Sequence, residues 1–144
     1  MNETIRRFGY PATLIREYPD WVVLLRPRQA TLGALVVACK DDGLRLSDVP
    51  LDAFAALKQV AVDVETTLRA EFDCQRINYL MLMMVDPHVH WHVLPRYDSP
   101  RTFAGITFPD PGWPALPDLS FATPTEPGVQ AALVEHLRAV WPKG

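Results

Sequence analysis

The sequence predicts an α+β fold, in which an antiparallel sheet of about five strands packs with one long helix and a C-terminal helix. Short β-rich runs stand before and after a single long amphipathic stretch, and a proline-rich segment precedes a last amphipathic stretch. The 144 residues are enough to bury a core without disulfides or metals. We therefore expect one domain over residues 1–144, with a core at about 12–97 and a proline-rich loop and final helix at 98–144.

Three strands are predicted ahead of the long helix. Residues 12–18 and 21–25 are β-rich runs separated by a Pro-Asp turn pair, which is typical of a hairpin. The apolar run at 32–39 is followed by an Asp-Asp-Gly sequence and predicts the third strand. Because tight turns join antiparallel neighbours, we expect these strands to begin an antiparallel sheet.

Two helices are predicted from the spacing of their apolar residues. The first spans 51–72, with Ser47 or Asp48 as its N-terminal cap and Pro50 in its first turn. The second spans about 127–141. The expected buried faces are Phe54, Leu57, Val60, Ala61, Val64 and Leu68 in the first helix and Val129, Ala132, Leu133, Leu137, Val140 and Trp141 in the second.

Two further strands and an irregular segment are predicted between the helices. Residues 77–85 and 88–96 read as strands on either side of a break at Asp86-Pro87. The segment after Tyr97 is rich in proline, whose fixed φ and missing N–H exclude regular helix and sheet interior. We expect an ordered loop there, anchored by Phe103, Phe108, Trp113 and Phe121.

Composition narrows the class of protein and of partner. The net charge of -3 argues against an electrostatic nucleic-acid binder, which is normally basic. Cys39 and Cys74 are too few for a disulfide framework and lack a paired metal-ligand spacing, which predicts reduced thiols. A polar N-terminus and short apolar runs predict neither secretion nor a membrane partner, so we expect a cytoplasmic protein.

The run at 88–93 is the strongest functional signal, because three histidines alternate there with large apolar residues. Successive side chains of a strand point to opposite faces, so His88, His90 and His92 are expected to share one face, roughly 6.6 Å apart. The intervening apolar side chains would face the core. Imidazole serves as nucleophile, acid, base or ligand near neutral pH, so this face is predicted to carry chemistry.

Three interpretations of the histidine row follow from the residues. A neutral central imidazole can attack a phosphate and form a covalent phosphoramidate, while its neighbours bind the phosphate oxygens. Alternating histidines can also ligate zinc or iron, although three along one strand lie nearly collinear and converge poorly on one ion. The third interpretation is a solvated polar face without a ligand.

Residues 88–94 resemble the signature of the histidine triad family, in which three histidines alternate with apolar residues and two apolar residues end the motif. The context at 77–79, at 95–97 and at 29–40 is also similar to that family, and the likeness covers about 12–97. It implies a nucleotide hydrolase or transferase that acts on the α-phosphate of nucleotide conjugates. It also implies a homodimer in which two sheets join into one.

The resemblance implies a role for each histidine. The central residue His90 would be the nucleophile that becomes nucleotidylated, His92 would contact the phosphate oxygens, and His88 would orient the site. The histidines and nearby backbone N–H groups would carry the phosphate charge, so neither a metal nor another cofactor is expected. The expected ligand is a small-molecule nucleotide.

Substrate contacts are predicted from Asn78, Gln29 and Arg96, which lie in the segments that share the resemblance. The chain departs from the family pattern just before the histidines. Many members carry Asn or Gln, then Ser or Thr, where this chain has Met84 and Val85. Neither replacement offers a hydrogen-bond donor to phosphate.

A second departure lies after the second strand, where relatives often place an acidic residue against the ribose hydroxyls. This chain has Arg26 and Arg28 at that point. Both arginines are compatible with contacts to phosphate or another anionic ligand, and equally with solvated side chains on a loop.

Overall fold

The computed structural model describes residues 1–143 and contains a five-stranded antiparallel sheet within them. Its strands are β1 (Leu14–Glu17), β2 (Trp21–Leu25), β3 (Leu35–Cys39), β4 (Arg76–Leu80) and β5 (His90–Arg96). They are ordered β1-β2-β3-β5-β4, and each pair of neighbours is antiparallel. The predicted α+β class with about five strands is confirmed.

The described chain has three helices, of which the first was not predicted. They are α1 (Glu3–Arg7), α2 (Leu51–Phe72) and α3 (Pro127–Val140). The side chain of Asn2 caps α1 by accepting the backbone N–H of Ile5 at 3.0 Å. A helix of five residues is too short to show a period in the sequence, which is why it was missed.

The two faces of the sheet are covered by different helices. One face packs against α2 through the main core, and the other packs against Ile5 of α1. Every residue of β2 and β3 is buried, as expected for central strands with both faces covered. His90 is paired with Ala38 and His92 with Val36, so both histidines lie on the α1 face.

Helix α2 has the predicted bounds, and Val60, Val64 and Leu68 are buried as predicted. Phe54 is an exception, because 37% of it is exposed. Burial is greatest on the stripe through Val60, Val64 and Leu68, and Ala53 rather than Phe54 extends it towards the N-terminus.

The predicted cap of α2 is wrong. Pro50 is the N-cap residue and makes no side-chain cap bond, and Ser47 and Asp48 lie in a 3₁₀ turn over Leu46–Asp48. The carboxylate of Asp48 accepts the backbone N–H groups of Leu44 and Arg45 instead. Asp48 therefore closes the preceding turn and is not available to the helix.

The strands around the histidines are shorter than predicted. β4 ends at Leu80, not at residue 85, and β5 begins at His90, not at His88. Because Leu80 already pairs with His92, the chain must reverse direction within residues 81–89. Met83 takes a left-handed φ of 49° in this turn. His88 therefore lies outside the strand that was predicted to carry it.

The proline-rich segment contains a small hairpin that was not predicted. It consists of β6 (Arg101–Phe103) and β7 (Ile106–Phe108), joined by Ala104 and Gly105 with φ of 51° and 77°. Two positive φ angles are typical of the tight turn that matches strand twist. Prolines flank residues 101–108 but none lies within them, so pairing is allowed there.

Helix α3 and the residue after it anchor the C-terminal part of the chain. Leu133, Leu137 and Trp141 are buried as predicted, whereas Val140 is 38% exposed. Trp141 Nε1 donates to the hydroxyl of Tyr18 at 2.8 Å, which ties this end to the start of the sheet. Among the helices of residues 1–143, none combines the length and apolar character needed to cross a bilayer.

Candidate active site

His90 and His92 lie side by side on the α1 face of β5. Their ring centroids are 5.1 Å apart, and the exposed fractions of the two residues are 2% and 9%. The ring of Phe8, just after α1, packs on both imidazoles with centroid distances of 5.4 and 5.7 Å. The strand and the aromatic cover thus restrict the motion of both rings.

The hydrogen bond of His90 determines which of its nitrogens can react. Nδ1 lies 2.7 Å from the backbone carbonyl oxygen of His88. A carbonyl can only accept, so Nδ1 carries the proton and Nε2 carries the lone pair. Within residues 1–143, Nε2 of His90 has no hydrogen-bond partner, and it keeps some contact with solvent. This is the arrangement a nucleophilic imidazole needs.

His92 has the opposite tautomer. The Nε–H of Arg26 donates to His92 Nδ1 at 3.2 Å, so Nδ1 carries the lone pair and Nε2 carries the proton. Burial, with a further contribution from the charge of Arg26, lowers the pKa of His92 from 6.5 to about 4. His92 is therefore a neutral hydrogen-bond donor near pH 7, on a ring whose centroid is 5.1 Å from that of His90.

His88 contacts α1 rather than the other two imidazoles. Its backbone N–H donates to Thr4 Oγ1 at 3.2 Å, and its Nδ1 lies 2.8 Å from the same oxygen. Since the hydroxyl oxygen already accepts the backbone N–H, its own proton is free to donate to Nδ1. The carbonyl of His88 in turn orients His90. His88 thus links α1 to the central histidine.

Asn78 and Arg96 are brought together, at the other end of β5 from His90. Arg96 is 3% exposed and holds the carboxylate of Asp110 with two hydrogen bonds, of 2.7 and 3.2 Å. Its Nη1 donates to Asn78 Oδ1 at 2.8 Å. The guanidinium is thus occupied by internal partners. Asn78 Nδ2 makes no hydrogen bond within residues 1–143, so the amide retains a donor.

Gln29 shapes the loop between β2 and β3. Its Nε2 donates to the carbonyls of Arg26 and Ala34 at 2.7 and 2.9 Å, and its Oε1 accepts the N–H of Gly33 at 2.8 Å. Gly33 has a φ of 84°, and a Cβ there would lie 2.8 Å from the ring of Phe72, so a side chain is excluded. The amide of Gln29 is thus engaged internally and holds the backbone of Arg26, whose side chain contacts His92.

Sequence reasoning missed Thr4 in α1 and Phe8 just after it, both of which contact the histidines. Both are separated from the triad by about eighty residues of chain, and no motif marks either one. Met84 and Val85, which replace the usual polar residues, are 86% and 80% exposed. They point to solvent and add no donor to the site.

Within residues 1–143, no carboxylate is hydrogen-bonded to either of the two buried imidazoles. Within residues 1–143, no group of three or more His, Cys, Asp or Glu side chains is arranged to hold a metal ion. The polar groups that contact the two buried imidazoles are the carbonyl of His88 and the guanidinium of Arg26. The arrangement provides one lone pair and several N–H donors, which suits an anionic phosphorus centre.

The low pKa of His92 predicts a loss of stability in acid. The unfolded chain protonates His92 near pH 6.5, whereas the folded chain does so only near pH 4. The free energy of unfolding should therefore fall by up to about 3 kcal/mol as the pH is lowered from 6.5 to 4. Urea unfolding of the wild type and of His92→Asn at several pH values measures this. A pH dependence that is the same in both proteins would contradict the assignment.

Comparisons with known proteins identify the family and agree with the fold. The sequence model of the HIT domain matches residues 8–99. A histidine triad protein from Sinorhizobium meliloti is 18% identical, with a TM-score of 0.70 and coverage of 94% of both chains. One from Bradyrhizobium japonicum is 16% identical, with a TM-score of 0.69 and coverage of 96% of this chain and 95% of the other.

A third similar structure is a zinc-bound histidine triad family protein from Mycobacterium smegmatis. It is 22% identical, with a TM-score of 0.62, and the match covers 94% of this chain and 89% of that one. No curated protein matches the sequence. At these identities the solved structures establish the fold alone, whereas the family model covers more than half of the residues. The chain therefore belongs to the HIT domain family, whose histidine triad is formed here by His88, His90 and His92.

Proposed function

We propose that this protein is a nucleotidyl hydrolase or transferase that cleaves a nucleotide conjugate at its α-phosphate through a covalent nucleotidyl-His90 intermediate. The complementary protonation of the two buried imidazoles carries the proposal. His90 presents a lone pair at Nε2, and the neighbouring ring of His92, 5.1 Å away between centroids, presents an N–H. One group can attack the phosphorus atom while the other donates to its oxygens.

In the first step, His90 Nε2 forms a bond to the α-phosphorus, and the bond from phosphorus to the leaving group breaks. The electron pair of that bond departs with the leaving group. The imidazole then carries positive charge, because Nδ1 keeps its proton. The carbonyl of His88, 2.7 Å from Nδ1, stabilises this charge by accepting a stronger hydrogen bond.

In the second step, water or another nucleophile attacks the same phosphorus atom. The P–N bond breaks, its electron pair returns to Nε2, and neutral His90 is restored. His92 donates to the phosphate oxygens in both steps and stays neutral near pH 7, because its pKa is about 4. When the acceptor is water, the water loses one proton to the solvent as its oxygen bonds to phosphorus, and the nucleotide is released as the monophosphate.

The remaining predicted site residues act around this centre in the proposal. Asn78 contacts the substrate through its free Nδ2 group, and Arg96 positions Asn78 by donating to Oδ1. Gln29 holds the loop that places Arg26 on His92. His88 orients His90 through its carbonyl. These roles need no metal ion.

Trapping the intermediate tests the reaction. The protein is mixed with an adenosine phosphoramidate or with nucleoside phosphoanhydrides, quenched within milliseconds to seconds, and measured by intact mass spectrometry. We expect a mass increase of one nucleotidyl group on the wild type and none on His90→Ala. An unmodified mass with every nucleotide, together with no product, would refute the proposed reaction.

Two other outcomes separate the competing functions. Thermal stabilisation by nucleotides without product would favour a nucleotide- or anion-binding protein with little turnover, to which Met84 and Val85 point because neither offers a donor to phosphate. Stoichiometric zinc or iron in the purified protein, removed by chelation together with activity, would favour the histidine metal site.

We also propose a cytoplasmic homodimer. Within residues 1–143, β4 lies at the edge of the sheet and pairs only with β5, which leaves its other edge open to a second strand. Joining two such edges gives the continuous sheet implied by the family. Light scattering of the purified protein should show twice the mass of one chain, and the mass of a single chain at all concentrations would exclude the dimer.

A further inference from the structure

Helix α1 is fixed on the sheet by contacts at both of its ends. Ahead of the helix, the amide of Asn2 donates to the carbonyl of Cys39 at 3.0 Å, and its oxygen caps the helix. Ile5 is fully buried against β2 and β3, and Phe8, just after the helix, packs on the two buried imidazoles. A helix of five residues is unstable alone, so these tertiary contacts hold α1 in place.

The segment that carries His88 is held by α1 at the point where it lies outside the sheet. His88 precedes β5, which begins at His90. Its backbone N–H donates to Thr4 Oγ1 at 3.2 Å. The following residue is tied to the sheet, because the carbonyl of Val89 accepts the N–H of Cys39 at 2.9 Å. Thr4 thus fixes the part of this segment that the strand does not include.

The hydroxyl of Thr4 binds both the backbone and the ring of His88. Its oxygen accepts the backbone N–H, and its proton is donated to Nδ1 of the same residue, 2.8 Å away. Nδ1 of His88 therefore keeps its lone pair, and Nε2 carries the ring proton. Thr4 is fully buried, so water does not readily take the place of its hydroxyl. With backbone and ring tied to one buried oxygen, His88 has little freedom to turn.

The orientation of His88 decides where the ring proton of His90 lies. The carbonyl oxygen of His88 is 2.7 Å from His90 Nδ1, and this hydrogen bond keeps the proton on that nitrogen. If the carbonyl turned away, the proton of the neutral imidazole could move to Nε2. The lone pair at Nε2 would then be lost, and the nucleophile with it. The reactive fraction of His90 therefore depends on how firmly His88 is held.

From these contacts we infer that α1 sets the reactive tautomer of His90, with Thr4 as the positioning residue. The hydroxyl of Thr4 holds His88, and the carbonyl of His88 holds the proton on His90 Nδ1. Thr4 acts through His88 and takes no part in the bonds that form and break. The effect on the reaction rate rests on the proposed function, but the position of the proton does not.

Nuclear magnetic resonance of protein with isotopically labelled histidine tests the position of the proton without any substrate. Long-range proton–nitrogen correlations distinguish protonated from unprotonated ring nitrogens in the wild type, Thr4→Val and Thr4→Ser. Valine keeps the shape of threonine but lacks its hydroxyl, whereas serine keeps the hydroxyl. We expect His90 Nε2 to shift towards the protonated form in Thr4→Val and to stay unprotonated in Thr4→Ser. An unchanged His90 tautomer in Thr4→Val would overturn the inference.

The matched control is Thr67→Val, which makes the same change on α2 at the opposite face of the sheet. Thr67 is also buried, with 3% of the residue exposed, and its hydroxyl has no hydrogen-bond partner among the described residues. Its removal should leave the histidine spectra as they are in the wild type. A shift of His90 Nε2 as large in Thr67→Val as in Thr4→Val would mean that any loosening of the core moves the proton, and would overturn the role of Thr4.

Kinetics tests whether the tautomer limits the reaction. Thr4→Val should lower kcat about tenfold, the effect of one lost hydrogen bond, while KM stays within about twofold of the wild type. Thr4→Ser should recover most of the loss, and Thr67→Val should react like the wild type. Circular dichroism establishes that each variant is folded. An unchanged kcat in Thr4→Val, or a loss confined to KM, would overturn the positioning role.

Asn2→Ala tests the docking of the helix at a residue whose side-chain hydrogen bonds go to backbone groups rather than to the histidines. The change removes the helix cap and the bond to Cys39, so α1 should hold Thr4 less firmly. We expect a smaller shift of His90 Nε2 in the same direction and a kcat lowered about threefold. Wild-type spectra and kcat in Asn2→Ala would overturn the role of the helix. A wild type that forms no adduct on His90 would refute the proposed reaction, while the spectra would still decide the position of the proton.

Discussion

Replacing His90 with alanine is expected to slow release of nucleoside monophosphate by at least about 10⁴-fold, because in the proposed reaction it removes the atom that forms the covalent intermediate. The neighbours cannot substitute for it. His92 Nε2 carries a proton because Arg26 donates to its other nitrogen. The rate is measured under single-turnover conditions with the nucleotide that gives the largest adduct on the wild type.

The matched control is His136→Ala. His136 lies away from the triad and contacts Glu71 at 2.7 Å, so we expect its replacement to change the rate less than about twofold. Because His90 is 2% exposed, alanine also leaves a cavity, and circular dichroism must show that both variants are folded. A folded His90→Ala protein that retains more than about a hundredth of the wild-type rate would contradict the nucleophilic role.

Replacing Asp110 with alanine is expected to lower the free energy of unfolding by about 3–5 kcal/mol. The side chains of Arg96 and Asp110 are 4% and 0% exposed, and they are joined by hydrogen bonds of 2.7 and 3.2 Å. Without the carboxylate, the guanidinium would remain buried with its charge unpaired. The backbone N–H of Tyr97, which also donates to Asp110, would lose its acceptor. Urea unfolding followed by fluorescence measures the loss.

Asp42→Ala is the control for this change. It removes the same charge from an exposed loop residue and should change the free energy of unfolding by less than about 0.5 kcal/mol. A second variant, Asp110→Asn, keeps the shape of the side chain and should lose less than alanine. If Asp110→Ala were as stable as Asp42→Ala, the buried pair would not hold the proline-rich segment against β5.

Predictions from local pattern agreed best with the structure where a whole element repeats one spacing. The bounds of α2 and β2 were predicted correctly, because apolar periodicity and turn residues are short-range signals. Element ends and short elements were the weak points. The cap of α2 was assigned to Ser47 or Asp48, yet Asp48 is used by its own turn, and the hairpin at 101–108 was concealed by the prolines around it.

In the candidate site, too, some features could be predicted from local sequence and others depended on tertiary contacts. The alternation of histidines could be recognised directly, but it did not show that His88 leaves the strand and bonds to Thr4. Arg96 was predicted to contact substrate, and its guanidinium instead faces Asp110 and Asn78. The buried pairing with Asp110 depends on how the proline-rich segment folds back, and no local spacing encodes that.

By itself, the sequence determined the α+β class, the two longer helices and the presence of three histidines in alternation, since these depend on residues close together in the chain. Only the tertiary structure decided what each histidine can do. The carbonyl of His88 leaves a lone pair on Nε2 of His90, and Arg26, 66 residues away from His92, places a proton on the neighbouring ring. A tautomer depends on the hydrogen-bond partner that packing supplies, so it is a property of the fold rather than of the motif.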